Sequence, residues 1–229
     1  MKRIAVLIML IFLTFGCASY QRTEVKMNND IVYGTPKDIE VFQECETSVR
    51  NWLVNAGIMK SKDQSINILF VKDVASKTKM KIASGSIIIG LYLRDQDKIY
   101  VISYHSRGKL RKFNASKKSL YKAVIAHEIG HAYLYHLEYP YTRKAIQEFL
   151  CATIEIDLLS DKVKKNILKQ AEKLNRSEIV TKEYFLDLRN YYRSYSKYQK
   201  LSYYYWVVVF DRDIEKFKDY FGRNMWIKI

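Results

Sequence analysis

Two histidines and a glutamate stand close together in the stretch AHEIGHA at residues 126–132. On a helix, residues four apart lie on the same face, so the imidazoles of His127 and His131 project together. Two neutral imidazole nitrogens can then bind one Zn²⁺ ion at about 2.0–2.1 Å. Glu128 follows the first histidine directly, where its carboxylate can hold a water molecule rather than the metal. The spacing predicts a metal site with His127 and His131 as ligands and Glu128 as the catalytic base.

A catalytic zinc site needs a third protein ligand, and the next predicted helix offers two glutamates. Glu148 stands among apolar residues, where a carboxylate is costly to bury unless it is paired or bound to metal. A short turn around Pro140 would fold this helix back over the histidines, so we predict Glu148 as the third ligand. Glu155 is the alternative ligand, and both glutamates would face solvent if neither binds metal. His136 lies about 180° around the helix from His127 and is excluded.

The competing interpretation of the two histidines is structural. They share an apolar helix face with Leu120, Val124 and Leu134, where a single histidine is usually a buried core residue. A second histidine four residues later, with glutamate directly after the first, is rare by chance and favours the metal site. Asp157 could orient one of the histidines or simply lie on the helix surface.

Hydrophobic periodicity and end signals predict the surrounding elements. Thr35 and Pro36 are typical of a helix start, and regular apolar spacing follows them. The predicted helices are 37–55, 116–136, 142–159, 162–174 and 211–222. The predicted strands are 65–72, 86–93 and 98–104, and the apolar run at 203–210 could be a buried helix or a buried strand. This order predicts an α+β fold, in which a small mixed or antiparallel sheet precedes the histidine helix and a mostly helical C-terminal half.

The histidine stretch and the helix after it resemble gluzincins, the HExxH zinc metallopeptidases of the peptidase MA-like group. Gluzincins pair HExxH with a second helix that contains a glutamate, which corresponds here to residues 127–131 and 146–152. Residues 90–101 are similar to the β-hairpin that precedes the active helix in that family. Phe149 stands where the family commonly has glycine, and no aspartate follows one turn after Glu148.

The resemblance implies a zincin-like fold and a peptidase that uses one Zn²⁺ ion. Zinc would activate a water and polarise the scissile carbonyl of a peptide or protein substrate, while Glu128 would move the proton to the leaving amine. A strand edge at 98–103 would bind the substrate as an added β-strand. A tyrosine or a histidine would donate to the oxyanion, and the sequence does not choose among five available tyrosines. The candidates are Tyr191, Tyr192, Tyr203, Tyr204 and Tyr205.

The N-terminus is typical of a secretory signal, because a basic start (MKR) precedes an apolar run at 4–15. This run is too short for a membrane-spanning helix, which needs about 20 residues. The layout resembles a bacterial lipoprotein signal with Cys17 as the lipid-bearing residue, and cleavage after Ala18 for plain secretion is the alternative. We therefore predict a lipoprotein anchored to a membrane of the bacterial cell envelope. The predicted segments are a signal peptide at 1–16, a tether at 17–35 and a zincin-like domain at 36–229.

Once Cys17 carries lipid, two cysteines remain in an oxidising compartment, Cys45 and Cys151. They are either joined in a disulfide or present as two buried thiols. A disulfide would join a helix near the start of the domain to the helix after the histidines.

The formal net charge of +15 at pH 7 fits anionic partners, such as lipid headgroups, acidic polymers or acidic substrates, but we favour the simpler interpretation of a solvated basic surface. The lysines are scattered along the chain and form no nucleic-acid-binding motif. Together with the export signal, this excludes nucleic acid from the predicted partners.

Two other functions fit part of the pattern. HExxH with a downstream glutamate also resembles the ImmA/IrrE-like metallopeptidases, but these act in the cytoplasm and the export signal argues against them. A non-catalytic envelope lipoprotein with a zincin-like fold is the second alternative, because a fold does not guarantee activity.

Overall fold

The computed structural model describes residues 22–27, 30–59, 64–79, 88–106, 115–137, 144–177 and 180–222. The predicted signal peptide and Cys17 lie outside the described residues. Within the described ranges, no helix combines the length and the apolar character needed to cross a membrane.

A mixed sheet of five described strands forms one layer of the fold. The strands are β1 (Thr23–Met27), β2 (Asp30–Gly34), β3 (Asn67–Val71), β4 (Gly90–Leu93) and β5 (Lys98–Ile102). Their spatial order is β1-β2-β3-β5-β4. The two central pairs, β2 with β3 and β3 with β5, are parallel, and the two outer pairs are antiparallel. The predicted small mixed sheet is confirmed.

The first two strands show that the prediction of a tether at 17–35 is wrong for its second half. β2 alternates buried and exposed residues, with Val32 fully buried. The carboxylate of Asp30 accepts a hydrogen bond of 2.8 Å from the backbone N–H of Ile66, which ties β2 to the start of β3. Both strands are short; β1 pairs with β2, and β2 pairs with β3, which is distant in sequence, so the stability of both depends on this second pairing.

Helix α1 (Pro36–Asn55) begins where the sequence predicts. The Thr35 side chain accepts from the backbone N–H of Asp38, and the Asp38 carboxylate accepts from the backbone N–H of Thr35, which forms a capping box. Asp38 is fully buried and also accepts from the Ser103 hydroxyl and the Tyr104 backbone N–H. One carboxylate therefore joins the start of α1 to the end of β5.

The remaining described helices confirm a mostly helical C-terminal half, and about 66% of the described residues are helical. They are α2 (Val74–Thr78), α3 (Lys117–His136), α4 (Lys144–Asp157), α5 (Asp161–Ser177), α6 (Lys182–Leu186), α7 (Leu188–Arg193), α8 (Tyr195–Tyr204) and α9 (Ile214–Phe221). A π-helical turn, Tyr205–Val209, continues α8, so the run at 203–210 is helical rather than a strand.

Helix α3 lies at the centre of the fold and is buried on most of its surface. Its Tyr121 hydroxyl donates to the carbonyl of Ile102 in β5 at 2.6 Å. Its Tyr133 hydroxyl accepts from Arg50 of α1, also at 2.6 Å. Contacts to the sheet and to α1 therefore fix the position of α3.

Aromatic side chains from the C-terminal half pack together beneath α4. The ring of Phe149 lies 5.1–5.5 Å from the rings of Phe185, Phe217 and Phe221. All four side chains are buried. The aromatic C-terminal sequence thus forms core, which supports α4 from the side opposite α3.

Both described cysteines are free thiols, so the disulfide alternative is wrong and the buried-thiol alternative holds. Cys45 of α1 donates to the backbone carbonyl of Lys122, whereas Cys151 of α4 packs against Gly130 of α3. Burial raises the pKa of Cys45 to about 12, which keeps this thiol protonated and unreactive.

Candidate metal centre

The histidines lie on the floor of a cleft of about 490 Å³, which is lined by residues of β4, α3, α4 and α7. Gly130 allows α4 to approach α3 closely. A Cβ atom at Gly130 would lie 3.1 Å from Cys151 Sγ and 3.2 Å from Ile154 Cδ1. The missing side chain therefore permits the close helix packing that places Glu148 of α4 beside the histidines of α3.

The two imidazoles and the Glu148 carboxylate meet at this floor. Nε2 of His127 lies 3.1 Å from Nε2 of His131. Oε2 of Glu148 lies 3.4 Å from His127 Nε2 and 3.3 Å from His131 Nε2. The three residues that the sequence analysis selects as ligands thus form a nearly regular triangle of donor atoms.

This triangle has the dimensions of a tetrahedral metal site. Ligand atoms at about 2.0–2.1 Å from a tetrahedral Zn²⁺ ion are separated by about 3.3 Å from one another. Oε2 of Glu148 is buried and has no hydrogen-bond partner among the described residues. A buried carboxylate oxygen in that state is costly unless a cation compensates it. His127, His131 and Glu148 are accordingly a group that could hold a metal ion.

The electrostatics of the floor also favour a cation. Burial lowers the pKa of His127, but the carboxylates of Glu148 and Glu155 outweigh this effect and raise that pKa to about 10. Burial raises the pKa of Glu148, whereas His131 and His127 hold it well below its usual range. With Glu128, three carboxylates surround two imidazoles. A divalent cation would balance this buried excess of negative charge.

Glu128 lies beside the triangle and faces β4. Its Oε2 accepts a hydrogen bond of 2.8 Å from the backbone N–H of Tyr92. Gly90 leaves room for it, because a Cβ there would lie 2.8 Å from Glu128 Cγ. Burial raises the pKa of Glu128, although His127 and His131 oppose the shift. A carboxylate with a raised pKa accepts protons more readily, so this position suits a general base.

Glu155 contacts the far side of His127 instead of joining the triangle. Its Oε2 lies 3.4 Å from His127 Nδ1, and it accepts hydrogen bonds from the Tyr195 hydroxyl and the Gln199 amide. When a metal ion displaces the proton of Nε2, the proton that remains on Nδ1 would face this carboxylate and fix the orientation of the ring. This contact between Glu155 and His127 was not predicted from the sequence. The feature that could have indicated it is a second glutamate on the same apolar helix face, two turns after Glu148.

Asp157 does not act as the orienting residue that the sequence analysis considered. Its carboxylate instead accepts hydrogen bonds from the Trp52 indole, the Tyr203 hydroxyl and the Arg212 guanidinium. These contacts join α1, α4 and the segment after α8, so Asp157 stabilises the fold away from the metal centre.

Two of the five candidate oxyanion donors, Tyr191 and Tyr192, line the cleft. Tyr191 is half-buried, and burial together with the charge of Glu148 raises the pKa of its hydroxyl, which therefore stays protonated. Tyr192 is 63% exposed at the rim. The other three lie in or against the hydrophobic core: Tyr203, Tyr204 and Tyr205.

One wall of the cleft is the outer edge of β4. The prediction that 98–103 provides the substrate-binding edge is wrong, because β5 has a partner strand on each side. The backbone carbonyl of Ile89 accepts a hydrogen bond from the N–H of Ile102. In an antiparallel pair every second residue points its N–H and C=O groups at the partner strand, so those of Gly90 and Tyr92 point away from β5. Those groups face the cleft, as the Tyr92–Glu128 hydrogen bond shows.

His136 lies outside the triangle, as its position on the helix predicts. Its Nε2 is 2.7 Å from Oδ1 of Asp97, in the turn between β4 and β5. The same Asp97 oxygen accepts from the Tyr92 hydroxyl at 2.9 Å. This contact fastens the β4–β5 hairpin to the end of α3.

The model of a family of unknown function, DUF6639, matches residues 36–200. The match extends from α1 into α8, and it includes the three residues of the triangle as well as Glu128 and Glu155. No curated protein and no solved structure matches the chain. Because the family model covers more than half of the 229 residues, the chain belongs to the family of unknown function DUF6639.

Proposed function

We propose that this protein is a zinc-dependent peptidase with a zincin-like fold, and that it is exported and tethered to a bacterial membrane. The observation that carries the proposal is the triangle of His127 Nε2, His131 Nε2 and Glu148 Oε2, with sides of 3.1–3.4 Å. Two imidazoles and one carboxylate are a ligand set of catalytic zinc sites in peptidases, where the fourth position stays open.

These three residues would hold one Zn²⁺ ion at the floor of the cleft. When bound, the ion would lower the pKa of a water molecule and polarise the carbonyl of the scissile peptide bond. Glu155 would keep the His127 ring in the orientation that presents Nε2 to the ion.

Glu128 would act as the general base. Its carboxylate lies beside the triangle and has a raised pKa. It would take a proton from the attacking water and pass it to the nitrogen of the leaving amine. Tyr191, which lines the cleft with a protonated hydroxyl, would donate a hydrogen bond to the oxyanion that forms on the substrate.

The outer edge of β4 would bind the substrate backbone. Gly90 and Tyr92 turn their backbone groups toward the cleft, next to Glu128. A peptide that adds a strand at this edge would pass over the cleft floor with its backbone in a fixed register. Bound substrate would compete with Glu128 for the N–H of Tyr92.

The metal site is tested by the zinc content of the purified protein and of two single variants. The wild type should bind one zinc per chain, and His127→Ala should lose it. His136→Ala is the matched control, because it removes a histidine of the same helix that lies outside the triangle. Equal zinc in the wild type and in His127→Ala would contradict the site.

The activity is tested by digestion of an unbiased peptide library with the zinc-loaded protein. Glu128→Gln should retain zinc and lose cleavage, because the amide cannot accept the proton. Zinc binding without cleavage by the wild type would favour the non-catalytic alternative.

The membrane tether is tested by fractionation of cells that express the full chain. The wild type should be recovered with membranes, and Cys17→Ala should move to the soluble fraction. An intact N-terminus in the cytosol would instead support the ImmA/IrrE-like alternative.

A further inference from the structure

Two cations, Arg94 and Lys144, lie on different walls of the candidate active-site cleft. We infer that this cleft selects peptides that carry a carboxylate close to the scissile bond, and that Arg94 and Lys144 bind that carboxylate. This inference rests on the proposed peptidase function and specifies its substrate class.

Lys144 is the first residue of α4 and precedes Glu148 by four residues. Side chains four apart on a helix lie one above the other, about 5–6 Å apart at Cβ. The lysine is therefore one turn from the candidate metal ligand, on the same face. Its ammonium donates to the Tyr192 hydroxyl at 2.9 Å, which holds it at the rim.

Arg94 directly follows the last residue of β4, two positions after Tyr92. Two residues of extended chain cover about 7 Å. The guanidinium lies over the ring of Tyr135, 4.6 Å from its centroid, and this contact fixes the charge at the cleft wall. A peptide aligned along β4 would bring the side chains next to its scissile bond within reach of Arg94.

The described lining of the cleft offers these cations no acidic side chain other than those of the candidate metal site. Among the described residues that line it, the acidic ones are Glu128 and Glu148. Their two negative charges would be balanced by one divalent cation, so Arg94 and Lys144 leave the loaded cleft with a net positive charge. A concave site with charge of one sign attracts substrates of the opposite sign and repels those of the same sign.

The carboxylate could belong to an acidic side chain or to the C-terminus of a short peptide. Both sources present the same planar pair of oxygens, which guanidinium and ammonium groups bind through charge-assisted hydrogen bonds. Capped and uncapped peptides distinguish the two sources.

The experiment uses the zinc-loaded protein and decapeptides that are N-acetylated and C-amidated. Matched peptides carry Glu, Gln or Lys at each position in turn, and one further neutral peptide has a free C-terminal carboxylate. Cleavage is measured as kcat/KM, and binding of the same peptides is measured by calorimetry with Glu128→Gln. We expect Glu peptides, or the free-carboxylate peptide, to exceed their neutral counterparts about tenfold in both measurements, and Lys peptides to be the poorest.

The double variant Arg94→Gln/Lys144→Gln should remove this preference, whereas Lys165→Gln, an exposed cation of α5 that is not among the cleft-lining residues, should keep it. Equal kcat/KM for Glu, Gln and Lys peptides would overturn the inference and leave the peptidase proposal intact. A preference that persists in the double variant would also overturn it. Tight binding of carboxylate peptides without any cleavage would support the inference and contradict the peptidase proposal.

Discussion

Oε2 of Glu155 lies 3.4 Å from Nδ1 of His127, on the side of the imidazole that faces away from Glu148 and His131. Tyr195 and Gln199 of α8 both donate to the same carboxylate, so a third helix holds it in place. The candidate ligands come from α3 and α4 alone. Their orientation, however, depends on α8, which lies much later in the sequence.

Glu155→Gln should weaken zinc binding while the protein stays folded. The amide keeps the size of the side chain, but it does not stabilise a proton on Nδ1 as a carboxylate does. We expect the Kd for zinc, measured by competition with a chelator, to rise by about 10–100-fold. Glu172→Gln, which changes a partly exposed glutamate of α5 paired with Arg176, is the control and should bind zinc like the wild type. An unchanged Kd in Glu155→Gln would show that this contact does not orient the histidine.

Gly90→Ala should reduce peptide cleavage without loss of zinc. The added Cβ would lie 2.8 Å from Glu128 Cγ, closer than Cβ atoms come in folded proteins, and 3.1 Å from Val124 Cγ1, which is a tight contact. Either β4 or Glu128 must move, which disturbs the hydrogen bond from Tyr92. We expect kcat/KM to fall about tenfold or more, since displacement of a catalytic group by about 1 Å is costly. Zinc content is the control measurement, and full activity in this variant would contradict the placement of Glu128 against β4.

Local sequence signals were sufficient for the start of α1 and for the side chains of the candidate metal centre. Thr35 and Pro36 mark the start of α1, and its observed capping box uses Asp38, three residues later. The helix spacing of His127 and His131 fixes their common face whatever surrounds them. Glu148 could be selected because a carboxylate in an apolar stretch needs a partner.

Features that depend on packing between distant segments could not be predicted from local patterns. β1 and β2 are short, and they become strands because β2 pairs with the distant strand β3 while β1 pairs with β2. The position of β5 inside the sheet, which leaves β4 as the edge, follows from strand order rather than from strand composition. The rotation of each helix about its axis decides two further features: the separation of Cys45 from Cys151 and the contact of Glu155 with His127. Hydrophobic periodicity shows which face of a helix is buried, but it does not fix this rotation more closely.

Gly130→Ala should destabilise the protein, although alanine is the better helix former by about 1 kcal/mol. The new methyl group would lie 3.1 Å from Cys151 Sγ and 3.2 Å from Ile154 Cδ1, so these buried neighbours would have to shift to accommodate it. Overpacking of this kind costs about 1–3 kcal/mol of unfolding free energy, measured by urea denaturation. The double variant Gly130→Ala/Cys151→Ala should recover part of the loss, because it removes the nearest atom. A gain in stability in Gly130→Ala alone would mean that α3 and α4 are not in close contact here.

Asp157→Asn should destabilise the protein near neutral pH, and the difference from the wild type should disappear in acid. Burial raises the pKa of Asp157, but the hydrogen bonds and charge of Arg212, with Tyr203 and Trp52, outweigh burial and lower it. A carboxyl group whose pKa is lower in the folded state stabilises that state fully above its unfolded pKa. The contribution is lost as the pH falls from there through the folded pKa.

We therefore expect Asp157→Asn to lose about 1–3 kcal/mol of unfolding free energy at pH 7, the usual range for hydrogen bonds to a charged group. The loss should persist down to about pH 4 and shrink below it, because the ordinary pKa of an aspartate is about 3.9. Urea denaturation between pH 7 and pH 3 measures both free energies. Asp95→Asn, in the exposed turn after β4, is the control and should follow the wild type throughout. A difference in unfolding free energy between Asp157→Asn and the wild type that stayed constant with pH would show that the ionised carboxylate is not the source of the stabilisation. Neutral hydrogen bonds of the Asp157 side chain with Trp52 and Tyr203 would then have to supply the stabilisation.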